Sequence, residues 1–413
     1  MGSRRTHDGS SSSDRLPWAV WLLGWVSLAT DAASEAIYPL LPFFLTQVLG
    51  AGVVSLGIVE GAAEAANSIL KILAGRWADR AKARAPLVLL GYGLSSAVRP
   101  LIAVASSWTQ VFAARLVDRV GKGIRGAPRD ALLAAYASPG ARGRVFSFHR
   151  GMDHTGAVLG PLLATGFLLL SPGSYRTLFA LTIVPGAIAV GLVLLVREPV
   201  EAPPSEQASE GAARWPRSLT RFLVVLAIFT LGNSTDAFLL LRLTDAAGGV
   251  ALVPLMWAAL HVVKAAVSFT TGSWSDRLGR KAIIGLGWLV YAVVYVGFAL
   301  GTSLPALLFW FLVYGIYFGF AEGTEKALIA DLAPVSARGT AFGVYTAVQG
   351  LGALAASLAF GAIWSAFGAP AAFGFGAALA LVATLALFIL VETQGVGPPT
   401  ASRSQVAAPA EAA

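Results

Sequence analysis

The sequence predicts an all-α membrane protein: twelve transmembrane helices in two pseudo-symmetric six-helix bundles. Three observations predict it. Of 413 residues, 56% are hydrophobic and only 13% charged, with a mean hydropathy of +0.71; soluble domains carry about 25% charged residues. Apolar stretches long enough to cross a bilayer, roughly 20 residues each, recur along the whole chain. Two separate segments also repeat at nearly one offset. "GRWADR" from Gly75 matches "GSWSDR" from Gly272, 197 positions on. "RDALLAAYASPGARGRVFSF" from Arg129 matches "EKALIADLAPVSARGTAFGV" from Glu325, 196 positions on. A duplicated six-helix unit accounts for both matches.

The elements follow in order. Residues 1–17 are polar and read as a disordered tail; their Met-Gly-x-x-x-Thr start fits a myristoylation pattern, but a chain with many spans gains nothing from a lipid anchor. Spans are predicted at 18–45, 53–75, 86–105, 109–136, 144–170 and 175–196, which form a first bundle over 18–197. A polar, proline-containing linker occupies 198–218. The second bundle, 219–391, holds spans at 219–243, 251–272, 282–300, 304–330, 339–365 and 370–391, and 392–413 reads as a second tail. The first apolar run is not a cleavable signal, because it contains Asp31 and Glu35.

Charge supports the count. Arg76, Asp79, Arg80, Lys82 and Arg84 follow span 2, Arg142 and Arg144 follow span 4, and Arg197 to Arg221 bracket the linker. Arg277, Arg280 and Lys281 follow span 8, and Arg338 follows span 10. Loops after spans 1, 3, 9 and 11 carry no charge, and the loop after span 5 carries only Arg176. This alternation places both termini in the cytoplasm. The net charge of +8 then records orientation and does not call for nucleic acid. With no cysteine, disulfides and thiolate metal sites are excluded.

The polar residues inside the spans are the candidate machinery. On a helical wheel Arg115, Asp118, Arg119, Lys122, Arg125, Arg129 and Asp130 share an arc of about 140° on span 4. That face cannot meet lipid, where each central charge costs roughly 2.5–3.5 kcal/mol. Glu60, Glu64, Asn67 and Lys71 form a stripe on span 2, and Asp31, Glu35 and Tyr38 one on span 1. The charges of the three stripes cancel, so the basic run either pairs internally or attracts an anion. The second half carries Asn233, Asp236, His261, Lys264, Glu322, Glu325 and Lys326. Glu325 and Lys326 occupy the repeat positions of Arg129 and Asp130 with inverted sign, which suits a pair across the bundles or packing within each half.

"GSWSDRLGRK" closely resembles the loop motif of the major facilitator superfamily, Gly-x-Leu-Ala-Asp-Arg-x-Gly-Arg-Lys. The first copy, "GRWADRAKAR", keeps Gly75, Asp79 and Arg80 but has Lys82 and Ala83 at the motif's second Gly and its Arg. The resemblance implies the major facilitator fold and a conformational switch at Gly75, Asp79, Arg80, Gly272, Asp276, Arg277, Gly279 and Arg280, whose Asp braces neighbouring helix ends. Gly156, Gly160 and Pro161 in span 5 resemble the superfamily's antiporter motif, with Ala164 and Thr165 where two glycines are usual. "RVGKG" from Arg119 loosely resembles the motif whose Arg accompanies proton coupling, with Lys122 at the usual Gln. The helix 4 and 5 segments together resemble a bacterial branch of efflux-type permeases, some linked to nickel resistance.

The expected function is a secondary active transporter: a monomeric, proton-coupled exporter of a small molecule by alternating access. The proton gradient is its energy source, and no cofactor is expected. Asp31, Glu60, Glu64 and Asp153 are the proton-coupling candidates. Glu35, Tyr38, Asn67, Arg119, Arg125, Arg129, His149, Asn233, Asp236, His261, Lys264, Glu322 and Glu325 are the cavity candidates. One alternative is an uptake symporter or exchanger holding an organic anion on Arg119, Arg125 and Arg129. A divalent-metal exporter is another, and its minor candidate site is His149, Asp153 and His154, with Glu64 and His261 nearby. No nucleophile–base pair, phosphate loop or soluble catalytic domain supports an enzyme, and a non-transporting receptor leaves the buried charge without purpose.

Overall fold

The structure is a computed structural model, and it describes residues 16–41, 44–50, 67, 70–81, 83–198, 215–234, 236–247 and 253–392. Most of both predicted tails, of the linker and of span 2, with Glu60 and Glu64, lies outside the described residues. Those described fold into helices and contain no strand.

The first bundle contains α1 (Trp18–Ile37), α2 (70–80), α3 (Ala85–Val98, continued as 3₁₀ over Arg99–Val104) and α4 (Trp108–Tyr136). It closes with α5 (Arg142–Leu170), α6 (Tyr175–Leu181) and α7 (Ile183–Leu194). The second contains α8 (Arg217–Gly232), α9 (Ala237–Ala247), α10 (Val253–Leu278), α11 (Arg280–Leu300), α12 (Leu304–Leu332), α13 (Arg338–Phe367) and α14 (Ala369–Leu390). Seven of the described helical segments are long and apolar enough to span a membrane. Leucines such as Leu169, Leu170, Leu194, Leu358 and Leu385 stay exposed on the outer surface, where lipid replaces water.

Three predicted spans are interrupted, each for a local reason. Span 1 ends its α-helix at Ile37 and tightens to 3₁₀ over Tyr38–Leu40, because Pro39 supplies no N–H. Span 6 breaks at Thr182, where Pro185 cannot donate to the Leu181 carbonyl four residues back. Span 7 breaks between Gly232 and Ala237; Asn233 takes φ −97° and ψ 84°, off the helical region. Pro128 and Pro161 sit inside unbroken helices.

Glycine sets how closely helices approach. A Cβ on Gly156 or Gly160 would collide with the Leu28 or Ala32 carbonyl, so the antiporter-like motif seats α5 directly on the backbone of α1. The same comparison orients the bundle: early α1 lies beside early α5, and both run away from the end that carries Arg76, Arg80, Arg142 and Arg280. That end is called the basic end here. At it the two bundles touch. A Cβ on Gly75 (α2) would meet the Gly339 carbonyl (α13), and one on Gly272 (α10) would meet Gly143 and Arg144 (α5).

Candidate functional site

The seal at the basic end is built twice, once per repeat. The Asp79 carboxylate accepts the backbone N–H groups of Gly339 (2.6 Å) and Thr340 (2.7 Å), which open α13 of the other bundle. Asp276 accepts those of Gly143 (2.9 Å) and Thr340's counterpart Arg144 (3.0 Å), which open α5. Each carboxylate satisfies N–H groups that a helix start leaves without intrahelical partners, and sits at the positive end of the dipole. Burial pushes the Asp79 carboxyl up from its ordinary value, against the pull of its Thr340 and Gly339 donors. Arg280 holds Asp276 and also donates to Asp331 (3.0 Å), whose other oxygen receives Arg142 (2.6 Å) from the first bundle. Gly279 has φ +92°, a conformation that favours glycine and lets α11 start immediately after α10. Arg80 and Arg277 point outward and are exposed.

Towards the opposite end a cavity of about 80 Å³ opens in the first bundle. It is lined by Asp31, Ser34, Glu35 and Tyr38 of α1, Arg99 after α3, and Arg115, Asp118, Arg119, Lys122 and Arg125 of α4. Every one of these side chains is polar. Asp118 is committed to Arg99 (2.9 Å) and Arg115 (3.7 Å). Arg99 also donates to the Thr30 carbonyl (3.0 Å), tying α1 to α3. Arg125 donates to Ser95 Oγ (2.7 Å) and the Gly91 carbonyl (3.4 Å), and its guanidinium lies 4.3 Å from the Tyr92 ring centre. The cavity therefore carries five cations against three carboxylates.

A second polar group lies where α5 meets α10 and α12. Asp153 receives Ser27 Oγ and Arg150 Nη1 (2.8 Å), with His149 Nδ1 at 3.7 Å. His154 Nε2 lies 3.0 Å from Glu322 Oε2, and its ring centre 5.4 Å from that of His261. Lys326 reaches across to Asp130 (2.5 Å), which also receives Arg129 (3.1 Å). In the second bundle the span 7 break presents Asn233 to Tyr317 OH (3.1 Å) and Asp236 to Tyr314 OH (2.8 Å) and Lys264 (3.6 Å). Broken helices lining a polar centre are a recurrent transporter arrangement.

The sequence expectations thus separate. Asp31, Glu35, Tyr38, Arg119 and Arg125 share the cavity. Arg129 does not line it; it turns to Asp130 and to Tyr92 OH (3.4 Å). Asp153 and His149 are also removed from it, in the second group. Glu325 does not line it either: it lies 2% exposed inside the second bundle, receiving Trp288 Nε1 (2.9 Å), Tyr345 OH (3.0 Å) and Gln349 Nε2 (3.3 Å), three neutral donors that satisfy the carboxylate there. Lys326, its neighbour, makes the cross-bundle pair. Asn67 is buried where α2 backbone meets Gly123 of α4. Of the minor metal candidates, His149 lies beside Asp153 and His154 beside Glu322, Glu64 lies outside the described residues, and among the described residues no three His, Asp or Glu side chains converge as metal ligands. Arg99, Arg150, Asp331 and Ser27 were not singled out in the sequence. Arg99, a lone charge in an apolar span, carried a usable signal.

Two repeated six-helix bundles, sealed at one end and holding a charged cavity towards the other, define a membrane transporter. A family model for the Major Facilitator Superfamily matches residues 21–258 and 219–412. An uncharacterised MFS-type transporter of Methanocaldococcus jannaschii is 33% identical over 380 residues, covering 90% of this chain and 94% of that one. A multidrug resistance protein MdtH of Edwardsiella ictaluri is 27% identical over 74% of this chain and 77% of its own. Among solved structures, the human organic anion transporter MFSD10 aligns with a TM-score of 0.77 at 18% identity, over 90% of this chain and all of that one. The Escherichia coli fucose:proton symporter FucP aligns at 0.72 and 16%, over 91% and 98%. The chain belongs to the Major Facilitator Superfamily; it is a transporter of small molecules and not an enzyme.

Proposed function

We propose that this protein is a monomeric, proton-coupled exporter of a small molecule in a bacterial plasma membrane. The observation that carries the reading is the placement of Asp31 and Glu35, two carboxylates deep in α1, in one cavity with Arg119, Lys122 and Arg125. Carboxylates facing fixed cations change their proton affinity when the surroundings open or close, which couples proton movement to the cargo cycle. Similarity to proteins named multidrug resistance protein MdtH supports export. The alternation of basic and neutral loops supports a cytoplasmic basic end and cytoplasmic termini. On that orientation the sealed end faces the cytoplasm, and the cavity belongs to an outward-facing state.

One observation favours a second reading, uptake or exchange of an organic anion: the excess of cations over carboxylates in the cavity. Linkage separates the two. Protons compete with a cargo that uses the carboxylates and favour antiport; they assist an anion bound to the bases and favour symport. The test uses purified protein in liposomes containing a pH-reporting dye, with outward gradients of ethidium, nickel chloride or sodium gluconate. Export by antiport predicts proton flux opposite to the cargo gradient. Flux in the same direction with gluconate supports the second reading, and no proton flux with any of the three rejects proton coupling for them.

A further inference from the structure

The contact between His154 and Glu322 joins the two bundles at depth. His154 stands twelve residues along α5 from Arg142, and Glu322 ten residues before the end of α12. At 1.5 Å per residue this places them about 15–18 Å in from the basic end, near the middle of a roughly 30 Å hydrocarbon core. Any opening of the basic end that parts α5 from α12 must break this contact.

We infer that His154 and Glu322 form a proton-operated latch between the bundles, with His261 beside it, distinct from the coupling carboxylates of the cavity. The inference rests on the proton coupling proposed above. The interbundle pairs differ in their chemistry. Arg142–Asp331 and Arg150–Glu322 use arginine, whose charge is fixed across the physiological range, and the Lys326 of Asp130–Lys326 shares its carboxylate with Arg129. Arg150 is itself committed to Asp153 at 2.8 Å and stands 3.9 Å from Glu322, whereas His154 is 3.0 Å away. Histidine is the side chain that changes charge between about pH 5 and 8. A proton on His154 turns the hydrogen bond between a neutral imidazole and the Glu322 carboxylate into an ion pair, adding Coulomb attraction to the same contact. The sealed form is therefore favoured as pH falls and released as pH rises.

The surroundings fit that role. His261, on α10, is 91% buried, packs on Trp257, and has no hydrogen-bond partner on either ring nitrogen. The His154 and His261 ring centres lie 5.4 Å apart, so a proton on one ring disfavours a proton on the other. The charged groups around the pair are Arg150 on α5, 3.9 Å from Glu322 and committed to Asp153, and Lys264 on α10, near Glu322 and His261 and held by Asp236. Further along α12, Glu325 accepts three neutral donors and Lys326 pairs with Asp130.

The test reads the seal directly. The chain has no cysteine, so Ser138→Cys and Val335→Cys place one spin label on each bundle at the basic end. Distances are measured by pulsed electron resonance in lipid nanodiscs from pH 5 to pH 8. The background protein should gain a longer-distance population as pH rises, with a roughly five- to tenfold change in the open-to-sealed ratio. His154→Gln should flatten that response, and His154→Arg should keep the seal at every pH. His261→Gln should retain the response at a shifted midpoint; an unchanged midpoint removes His261 from the latch. A His154→Gln protein that still responds to pH like its parent overturns the proposal, as does a His154→Arg protein that opens on schedule. If the latch fails while the liposomes still show proton-linked flux, coupling resides in the cavity. If the flux fails while His154 governs the distances, proton coupling to these three cargoes fails and the latch stands.

Discussion

Asp79 and Gly339 belong to different bundles, yet the carboxylate of one accepts the backbone N–H of the other at 2.6 Å, and the repeat places Asp276 in the same relation to Gly143 at 2.9 Å. The capping group of each helix start is thus supplied by the opposite half of the molecule. A helix end that loses its cap is destabilised only while the bundles are closed, so these contacts bear on conformation more than on folding.

Asp79→Ala and Asp276→Ala should therefore each loosen the basic end without unfolding the protein. Loss of a helix cap costs about 0.5–2 kcal/mol, and 1–2 kcal/mol corresponds to a five- to thirtyfold shift of the sealed-to-open ratio. Label distances across the basic end measure it; an unchanged distance distribution in both variants refutes the role. Asp79 also carries a pH sign. Its carboxyl is pushed up in the sealed form, so that form takes up a proton there more readily than a hydrated, open one, and mild acid favours the seal at this contact.

Gly272→Ala tests the close approach beside the second cap. The added Cβ would sit 2.6 Å from Arg144 Cα and 2.9 Å from the Gly143 carbonyl, backbone atoms that cannot step aside. Overpacking of this kind costs about 1–3 kcal/mol, and here the bundles relieve it by parting. Cysteine pairs across the basic end should crosslink less in this variant than in its parent.

Arg99→Ala should be the most damaging cavity substitution for stability. It strips Asp118, 3% exposed, of its 2.9 Å partner and leaves Arg115 at 3.7 Å. Breaking a buried pair in this way costs roughly 3–5 kcal/mol. Arg125→Ala should be milder, since its hydrogen-bond partners are Ser95 and the Gly91 carbonyl and no buried carboxylate is stranded. Thermal unfolding in detergent compares the two, and equal losses would contradict this assignment.

Asp31→Asn and Glu35→Gln should remove the pH-gradient dependence of transport while leaving cargo exchange at equal pH. Both residues line the cavity beside Lys122 and Arg119, so each neutralised carboxylate also raises the cavity's positive charge. Flux assays with and without an imposed gradient decide it. Gradient-driven flux at the parent rate in both variants removes them from coupling.

The fold was legible because a membrane leaves few choices. Apolar length, alternating basic loops and two matching "Trp-x-Asp-Arg" segments specify helices, their number and their duplication, since every backbone group in lipid must bond within its own helix. Pro39, Pro185 and the Gly232–Asn233 pair marked places where those helices break, and the long spans assumed there passed over them.

The candidate site was legible only in part. A helical wheel places Asp31, Glu35, Arg119 and Arg125 on inward faces because charge cannot face lipid. A wheel gives no partner. Arg129 and Glu325 lie on the same inward faces, yet Arg129 turns to Asp130 and Glu325 to Trp288 and Tyr345 inside the second bundle.

What the sequence determined by itself is the set of groups that must be hidden from lipid and the helices that carry them, for both follow from local composition and hydrogen bonding. Which charge meets which was decided by tertiary structure alone. Arg99 finds Asp118, Arg125 finds Ser95, His154 finds Glu322, and Asp79 finds a helix start in the other bundle. The first two depend on how closely α3 and α4 approach within one bundle, where Gly91 and Gly121 meet the facing helix, and the last two on how one bundle is set against the other. An ion pair requires contact within about 4 Å, and a sequence that fixes faces does not fix distances.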